Sequence, residues 1–294
     1  MVETNAQKHR RNSVRRSNYW SESLSRFLKD KIAVISLILL IVITVVVVFA
    51  PKFTPYGYRD VYLDNRYAPM SPEHPFGTDG YGRDMWARIL YGGQVTLNVT
   101  YTAVIIAAII GSLLGITAGV VSAPADSLIL RLMDGLSAIP TLLLAVLIEF
   151  FMGFGKGYYK YAIALSLIPP SVRLLRPLVI TVMKSEYVEA ARALGVKLPE
   201  VIVRHVIPNI AAPAIIHFSN LAAEALLTST VMGYLGVGVF PPRPEWGEMV
   251  AFGYNYIRSR PTISLIPCFV VAVTALAFSM VGNGIRDALD PEEL

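Results

Sequence analysis

Six long stretches of apolar side chains are the feature that most constrains how this chain can fold. A bilayer core about 30 Å thick needs roughly 20 consecutive apolar residues in a helix. The predicted spans cover about 32–50, 95–121, 128–151, 158–170, 207–235 and 263–285, and the fourth is short because Pro169 and Pro170 interrupt it. Only 16% of the residues are charged, against roughly 25% in soluble proteins. These features predict an all-α membrane protein with six transmembrane helices.

The distribution of charge predicts how these helices are oriented. Residues 1–31 contain eight Lys or Arg and three Asp or Glu, and the segment 173–206 contains six against three. The segments 51–94 and 240–261 are nearly balanced, with five of each and three against two. Because basic residues are retained on the cytoplasmic side of membrane proteins, we predict that both termini and 173–206 are cytoplasmic and that 51–94 and 240–261 are extracellular. The basic tail favours anionic lipid headgroups as its contact, not nucleic acid.

The sequence lacks the residue patterns of a catalytic or metal centre. Its single cysteine, Cys268, lies in an apolar stretch and excludes a disulfide framework. The four histidines do not have the spacing of metal ligands. The segment 153–157, GFGKG, lacks the full spacing of a phosphate-binding loop and is interpreted as a turn. We therefore predict that the chain is not an enzyme, binds no metal and holds no cofactor of its own.

The polar segment EYVEAARALGVKLPEVIVRHVIPN, residues 186–209, is predicted to form two short helices around a turn. The residues from Glu189 onward favour a helix, and Gly195 suits a left-handed helix stop. Pro199 fits the first turn of the second helix, and Pro208 is predicted to end that helix. Such a knob suits docking into a groove on another protein, although a helix lying in the lipid headgroups fits the pattern equally well.

The same residues resemble the EAA motif of permease subunits in bacterial and archaeal ABC importers. An EAA triplet beginning at Glu189 is followed after three residues by Gly195, and later by the pair Ile207 and Pro208. The resemblance implies that 186–206 is the coupling helix, which fits a cleft on a cytoplasmic ATPase subunit. The docking residues that it implies are Glu186, Tyr187, Glu189, Ala190, Ala191, Arg192, Leu194 and Gly195.

Two further segments narrow the resemblance to the oligopeptide, dipeptide and nickel importers. HPFGTDGYGRDMWARILYGG, residues 74–93, is similar to the segment after the first span of their C-type permease subunit, through Gly77, Thr78, Asp79, Gly82, Arg83 and Asp84. LGVGVFPPRPEWGEM, residues 235–249, is similar to their loop before the last span. In the first of these segments Asp79 and Asp84 are expected to cap a helix or to pair with Arg83.

The resemblance implies a type I ABC importer permease fold in the cell membrane. The chain is expected to form, with a second, different permease, the path for peptides that an extracellular binding protein delivers; nickel and oligosaccharides are alternative cargoes. Two ATPase subunits are expected to use ATP and Mg²⁺. The predicted organisation is a basic cytoplasmic tail at 1–31, the first transmembrane helix and an extracellular loop at 32–94, a five-helix permease core at 95–286, and a cytoplasmic tail at 287–294.

Two features inside the predicted spans are candidates for helix packing and for the translocation path. Gly111, Gly115 and Gly119 recur every four residues and offer a smooth face to a helix of this chain or of a partner permease. Glu224 lies in the fifth span, where ionisable residues mark pathways or pair with a neighbouring helix. The resembled family often has a glutamate where this chain has Ser229, five residues after Glu224, so the resemblance does not give Glu224 its role.

Three other classes of function compete with an importer subunit. A self-sufficient secondary carrier would show an internal repeat with broken helices at the membrane midplane, and no convincing repeat is present. An intramembrane enzyme would need a paired acid or a metal site. A membrane scaffold could use the same docking segment without transporting anything. Co-purification of an ATPase and a binding protein would distinguish an importer from all three.

Overall fold

The computed structural model describes residues 21–121, 123–155 and 157–289. Within these ranges the regular structure is helical, and the one β pairing is an isolated bridge between Thr78 and Asp84. The main helices are α1 (Lys31–Val48), α2 (Met85–Val120), α3 (Ala123–Ser137), α4 (Thr141–Met152), α5 (Tyr159–Met183), α6 (Glu186–Ala193), α7 (Ile207–Tyr234), α8 (Trp246–Tyr254) and α9 (Thr262–Leu289). The predicted all-α architecture is confirmed.

Five helical stretches of the described chain are long and apolar enough to cross a membrane. They are α1, α2, α5, the stretch Leu198–Tyr234 that contains α7, and α9. The helices α3 and α4 reach the same apolar length together but are bent by 96°. The described residues therefore provide five spans, or six when α3 and α4 count as one broken span.

The third predicted span, 128–151, is not one straight helix, because the chain leaves helical geometry between Ser137 and Thr141. Pro140 causes the break: its backbone is extended, with φ −52° and ψ 139°, and a proline also disfavours helical backbone in the residue before it. Met133 of α3 is buried against α5. The two halves of this segment consequently pack in different directions.

The interruption predicted in the fourth span is wrong. The helix α5 continues through Pro169, Pro170 and Pro177 to Met183. A proline removes one backbone hydrogen bond, but membrane helices tolerate it where surrounding groups satisfy the freed carbonyl. Residues 166–169 of α5 are buried inside the bundle. Tertiary packing therefore preserves a helix that the local sequence alone disfavours.

Two arginines assigned from the sequence to the polar segment 173–206 belong to the second half of α5. Arg173 Nη2 donates to Asp134 Oδ1 at 2.7 Å, and Arg176 Nε donates to Asp126 Oδ1 at 2.6 Å. Both aspartates lie on α3. The arginines therefore tie α3 to α5, and they are not free charges of a loop.

The helices α2 and α5 pack side by side along the glycine face of α2. A Cβ added at Gly115 would lie 2.9 Å from the Cβ of Leu175. Equivalent atoms at Gly111 and Gly119 would each lie 2.6 Å from side chains of α5, at Ser171 and Val179. Contacts this short leave no room for a side chain on α2. Because the contacts advance in the same direction along both helices, α2 and α5 run parallel, and α3 with α4 must carry the chain back between them.

The helix α2 begins at Met85, ten residues before the predicted position 95, and so crosses the predicted boundary between 94 and 95. Asp84 caps this end, because its Oδ1 accepts a hydrogen bond from the Ala87 N–H at 2.6 Å. Capping by aspartate satisfies a backbone donor that has no partner inside the helix. The extra turns of α2 bring the loop before it into contact with the rest of the bundle.

Candidate functional site

The EAA segment forms a short exposed helix between two long ones. Only Lys184 and Ser185 separate α6 from the end of α5. Val188 of α6 is completely buried, and Ala191 is half-buried. The other predicted docking residues are exposed: Glu186, Tyr187, Glu189, Ala190, Arg192, Leu194 and Gly195. One apolar residue thus anchors α6, and the remainder of the helix faces outward.

The predicted left-handed stop is present at Gly195, whose φ is +83°. The Gly195 N–H donates to the Arg192 carbonyl at 2.9 Å, and the Val196 N–H donates to the Ala191 carbonyl at 3.1 Å. These two bonds define a Schellman motif. A Cβ added at Gly195 would meet no atom within 4 Å. Backbone conformation, and not crowding, is therefore what favours glycine here.

The charged side chains of α6 have no partner elsewhere in the described chain. Glu186, Glu189 and Arg192 make no ion pair and no side-chain hydrogen bond there. Leu194 is 86% exposed, and Tyr187 is 49% exposed with its ring centroid 5.8 Å from that of His205. Unpaired charges around exposed apolar side chains are the composition of a contact surface for another molecule.

After the turn at residues 194–197, the chain continues into α7 as one helical stretch. Leu198–Val201 is followed by a π-helical turn, Ile202–Val206, and then by α7. The Ile207 N–H donates to the Ile202 carbonyl five residues earlier. The prediction that Pro208 ends the second helix is wrong, because Pro208 lies in the first turn of α7, where its missing N–H removes no required bond.

A buried group of charges lies at the other end of the bundle, where α2 begins. Asp79 Oδ2 accepts a hydrogen bond from Arg83 Nε at 2.7 Å and lies 3.6 Å from Arg88 Nε. Arg88 Nη2 donates to Glu248 Oε2 of α8 at 3.1 Å. Asp79 is completely buried and Arg88 is 2% exposed. These four residues, the loop network, attach the loop before α2 to α8.

Asp84 and a glycine turn complete this region. Asp84 Oδ2 lies 2.8 Å from His74 Nδ1, so Asp84 caps α2 and pairs with His74, whereas Asp79 is the acid that pairs with Arg83. Gly82 has φ +72°, and a Cβ there would lie 1.8 Å from the Tyr62 carbonyl oxygen. The matched residues of the 74–93 segment therefore have structural roles in this loop.

Glu245, immediately before α8, is a completely buried carboxyl group. Its Oε1 lies 3.0 Å from Thr96 Oγ1, and its Oε2 accepts from the Glu248 N–H at 3.0 Å. Burial raises the pKa of Glu245 to about 7 against the opposing effect of these hydrogen bonds. A Cβ at Gly233 would lie 1.7 Å from Glu245 Oε2, so glycine makes room for the carboxyl group. Within the described ranges, no group of three His, Cys, Asp or Glu side chains is arranged to hold a metal ion.

Glu224 lies in the second half of α7 and is exposed on the surface of this chain. It makes no ion pair or hydrogen bond with any described residue. The alternative that Glu224 pairs with a neighbouring helix of the same chain is therefore not seen in the described ranges. Ser229, where the resembled family often has glutamate, is completely buried.

Three residues that shape these regions were not identified from the sequence. Val188 anchors α6, and its position as the one large aliphatic residue among polar neighbours was a usable local signal. Arg88 contacts Glu248, which is 160 positions later in the chain, and no local pattern indicates that pairing. Glu245 likewise reads as an ordinary loop charge until the fold buries it.

Comparison with known proteins gives matches over most of the chain. The family of binding-protein-dependent transport system inner membrane components matches residues 111–293, and the N-terminal TM domain of oligopeptide transport permease C matches residues 18–69. The chain is 37% identical over 273 residues to the dipeptide transport system permease protein DppC of Alkalihalophilus pseudofirmus, covering 93% of this chain and 90% of the relative. It is 30% identical over 275 residues to the oligopeptide transport system permease protein OppC of Bacillus subtilis, with the same coverage. It is 32% identical over 274 residues to the glutathione transport system permease protein GsiD of Pectobacterium atrosepticum, covering 93% and 91%.

Solved structures share the fold. An inward-facing structure of the MetNI methionine ABC transporter aligns with a TM-score of 0.57 at 17% identity, over 70% of this chain and 97% of the solved chain. An amino acid ABC transporter crystallised with histidines aligns with a TM-score of 0.51 at 17% identity, over 68% and 93%. The fold is that of type I ABC importer permeases, and the protein is a multi-pass inner membrane protein. The chain thus belongs to the binding-protein-dependent transport system inner membrane components, and within them to the C-type permease subunits.

Proposed function

We propose that this chain forms, with a second, different permease subunit, the membrane path for peptides in an ATP-driven importer. An extracellular binding protein supplies the peptides, and two separate ATPase subunits use ATP and Mg²⁺, so this chain needs no cofactor of its own. The relatives named for dipeptide, oligopeptide and glutathione transport support peptides as the cargo. The observation that carries the proposal is the exposed, unpaired surface of α6.

The connections of α6 support its use as a coupling helix. Two residues join α6 to α5, and the continuous stretch Leu198–Tyr234 leads from the turn after α6 into the bundle. Movement of α6 would therefore act on two long helices through connections of two and four residues. The bundle can then alternate its opening between the two sides of the membrane by a rocking motion of rigid parts.

The proposal places α6 and both termini in the cytoplasm and the loop network outside. The parallel packing of α2 and α5 supports this, because it separates the start of α2 from α6 by the length of the bundle. Single cysteines at Glu73 and Lys197, both exposed, in a Cys268→Ser background test the orientation in right-side-out vesicles. A membrane-impermeant reagent should label position 73 at once and position 197 only after the vesicles are opened. The reverse order would contradict the orientation.

Two variants test the coupling role of α6. Gly195→Val should reduce peptide uptake by at least about tenfold, because a β-branched residue resists the left-handed region and distorts the helix end. Glu189→Lys should also reduce uptake strongly by reversing a charge on the docking surface. Neither residue lies in a span, so membrane levels should remain near those of the wild type. Membrane level, ATPase association and uptake are measured together.

Gly157 provides a matched control that distinguishes a loss of ATPase docking from the effect of backbone strain alone. Gly157 has φ +79° and open space around its α-carbon, as Gly195 does, but it lies at the other end of α5. Gly157→Val should therefore suffer similar backbone strain and retain ATPase association. Wild-type uptake in both α6 variants, or equal loss of ATPase association in the Gly157 variant, would remove the support for α6 as the coupling helix.

A further inference from the structure

Glu224 lies at a membrane depth where a charged carboxylate needs a partner, and this chain supplies none among its described residues. It lies 17 residues after the start of α7 and 10 residues before its end, or about 25 Å and 15 Å along the helix. Both distances place it within the hydrocarbon region of a spanning helix. A charged side chain that faces lipid at such a depth is strongly disfavoured, and such groups face protein or water-filled cavities.

The polar side chains that precede Glu224 on the same face of α7 lie against other helices of this chain. His217 and Asn220 precede Glu224 by seven and four residues and therefore share its face. His217 Nε2 lies 3.1 Å from Ser171 Oγ of α5. Asn220 lies over Gly282 of α9, where an added Cβ would be 2.4 Å from Asn220 Oδ1. Glu224 is thus the polar group on this part of the face that is both exposed and free of a partner in the described chain.

Apolar side chains border the carboxylate on its other side. Leu227 and Val231 follow Glu224 by three and seven residues and are 48% and 38% exposed. The surface therefore combines one acceptor of positive charge with an apolar wall. This combination fits a ligand that has a cationic group at one end and variable side chains beyond it.

Glu224 forms no ion pair with a basic residue of the described chain, and three of the arginines in the helices already have acidic partners. Arg88 contacts Asp79 and Glu248, and the two arginines of α5 pair with aspartates of α3. A fixed ion pair with another subunit would bring little stability, because desolvation offsets most of the attraction. A cation that arrives and leaves would instead be stabilised only while it occupies the site.

We infer that Glu224 binds the protonated amino terminus of a peptide as the peptide passes along this face of α7. The inference rests on the proposed function, because it needs a translocation path at that face. The amino terminus is the positive group that every unblocked peptide carries, whatever its side chains. A carboxylate accepts the N–H donors of such an amine through charge-assisted hydrogen bonds. The apolar wall at Leu227 and Val231 tolerates different side chains next to the amine.

The test uses the complete transporter with its binding protein in proteoliposomes, and the probes are dialanine and N-acetyl-dialanine. Glu224→Gln should lower the maximal rate for dialanine by at least about tenfold, the effect of losing one charge-assisted bond, and should leave the acetylated peptide near its wild-type rate. Glu224→Asp should restore most of the rate. Glu73→Gln, the same change at an exposed acid outside the spans, should leave the rate for dialanine within about twofold of wild type.

The pH dependence of uptake is a second, independent measurement. The wild-type rate for dialanine should fall as the pH rises through the amine pKa of roughly 8, because deprotonation removes the cation. The same binding protein serves both transporters, so a difference between their pH profiles arises in the permease. The rate of the Glu224→Gln variant should therefore fall less with rising pH than the wild-type rate. Because it uses dialanine alone, this comparison of pH profiles tests the role of Glu224 even if the binding protein does not accept the acetylated peptide.

Three outcomes would overturn the inference. The first is an equal loss of rate for both peptides in Glu224→Gln, and the second is an unchanged pH profile in that variant. The third is failure of Glu224→Gln to co-purify with the second permease, which would assign Glu224 to a subunit contact. Normal wild-type transport with any of these results leaves the proposed function intact, whereas a wild-type transporter that moves neither peptide overturns both.

Discussion

The loop network and helix α6 use the same kinds of charged residue in opposite ways. In the loop network the charges are buried and paired: Asp79 is completely enclosed, and Arg88 bridges Asp79 and Glu248. On α6, Glu189 and Arg192 are exposed and have no partner in the described chain. Both regions lie at helix ends and both carry motif residues. The motif residues at one end therefore hold this chain together, and those at the other end leave their charges available, as the proposed docking role of α6 requires.

Substitutions in the two regions should differ in how much they change the stability of the chain. Removing one member of a buried ion pair costs about 3–5 kcal/mol, because the remaining charge stays buried without compensation. Replacing an exposed side chain that has no partner changes stability by no more than about 0.5 kcal/mol. The same substitution made in both regions therefore separates residues that hold the fold from residues that contact a partner.

The largest effect is expected from Arg88→Ala. It leaves the carboxylates of Asp79 and Glu248 buried without Arg88 and should lower the free energy of unfolding by about 3–5 kcal/mol. Arg192→Ala on α6 is the matched control and should leave stability unchanged within about 0.5 kcal/mol while weakening ATPase association. Thermal unfolding of the purified chain in detergent and ATPase pull-down measure the two properties. Equal destabilisation by both variants would remove the distinction between the two regions.

A smaller difference is expected between two glycines with positive φ. Gly82 and Gly195 have φ +72° and +83°, so alanine at either site carries left-handed strain of about 1–2 kcal/mol. At Gly82 the new Cβ would also lie 1.8 Å from the Tyr62 carbonyl oxygen, whereas Gly195 has open surroundings. Gly82→Ala should therefore cost about 1–3 kcal/mol more than Gly195→Ala, through overpacking. Equal melting temperatures for the two variants would show that the loop around Tyr62 moves freely.

Features that depend on nearby residues were predictable from the sequence. Apolar runs of sufficient length located the spans, because a bilayer sets the length that a helix must have. Gly195 predicted the end of α6, since few residues adopt its left-handed backbone without strain. The spacing of Gly111, Gly115 and Gly119 indicated a packing face, although it did not say which helix would cover it.

Features that depend on tertiary packing were not predictable. Pro169 and Pro170 indicated a broken helix because prolines disfavour helices locally, yet burial in the bundle keeps α5 continuous. Pro140, which lies in an equally apolar stretch, does break the chain into α3 and α4. Residues of one type thus had different effects, and only the surrounding helices decide between them. The pairing of Arg88 with Glu248 has the same origin, since the fold brings together residues that are 160 positions apart.

Glu245 is a buried acid near the loop network, and its hydrogen bonds bear on whether it is charged in the folded chain. Thr96 Oγ1 lies 3.1 Å from the Gly92 carbonyl, 3.2 Å from the Trp246 N–H and 3.0 Å from Glu245 Oε1. A hydroxyl group has one proton to donate and two lone pairs. Thr96 accepts from the Trp246 N–H, and its one proton is donated either to the Gly92 carbonyl or to Glu245 Oε1. Glu245 Oε1 accepts when the Thr96 hydroxyl donates to it, and Glu245 Oε2 accepts from the Glu248 N–H. These hydrogen bonds favour the charged carboxylate, whereas burial favours the neutral acid and has the larger effect on the pKa.

The smallest effect is the dependence of stability on pH that follows from this arrangement. Burial raises the pKa of Glu245 from 4.5 to about 7, so the folded chain binds more protons than the unfolded chain between these values. Stability should therefore fall as the pH rises through that window, by at most about 3 kcal/mol from this group, and level off above it. Glu245→Gln keeps one donor and one acceptor but has no proton to release, so its melting temperature should fall less with pH than that of the wild type. Glu245→Ala, the control, leaves Thr96 and the Glu248 N–H without this partner and should be less stable at every pH. A Gln variant whose melting temperature falls as steeply as that of the wild type would show that Glu245 is charged in the fold, and the loop end would then contain a buried carboxylate that no arginine compensates.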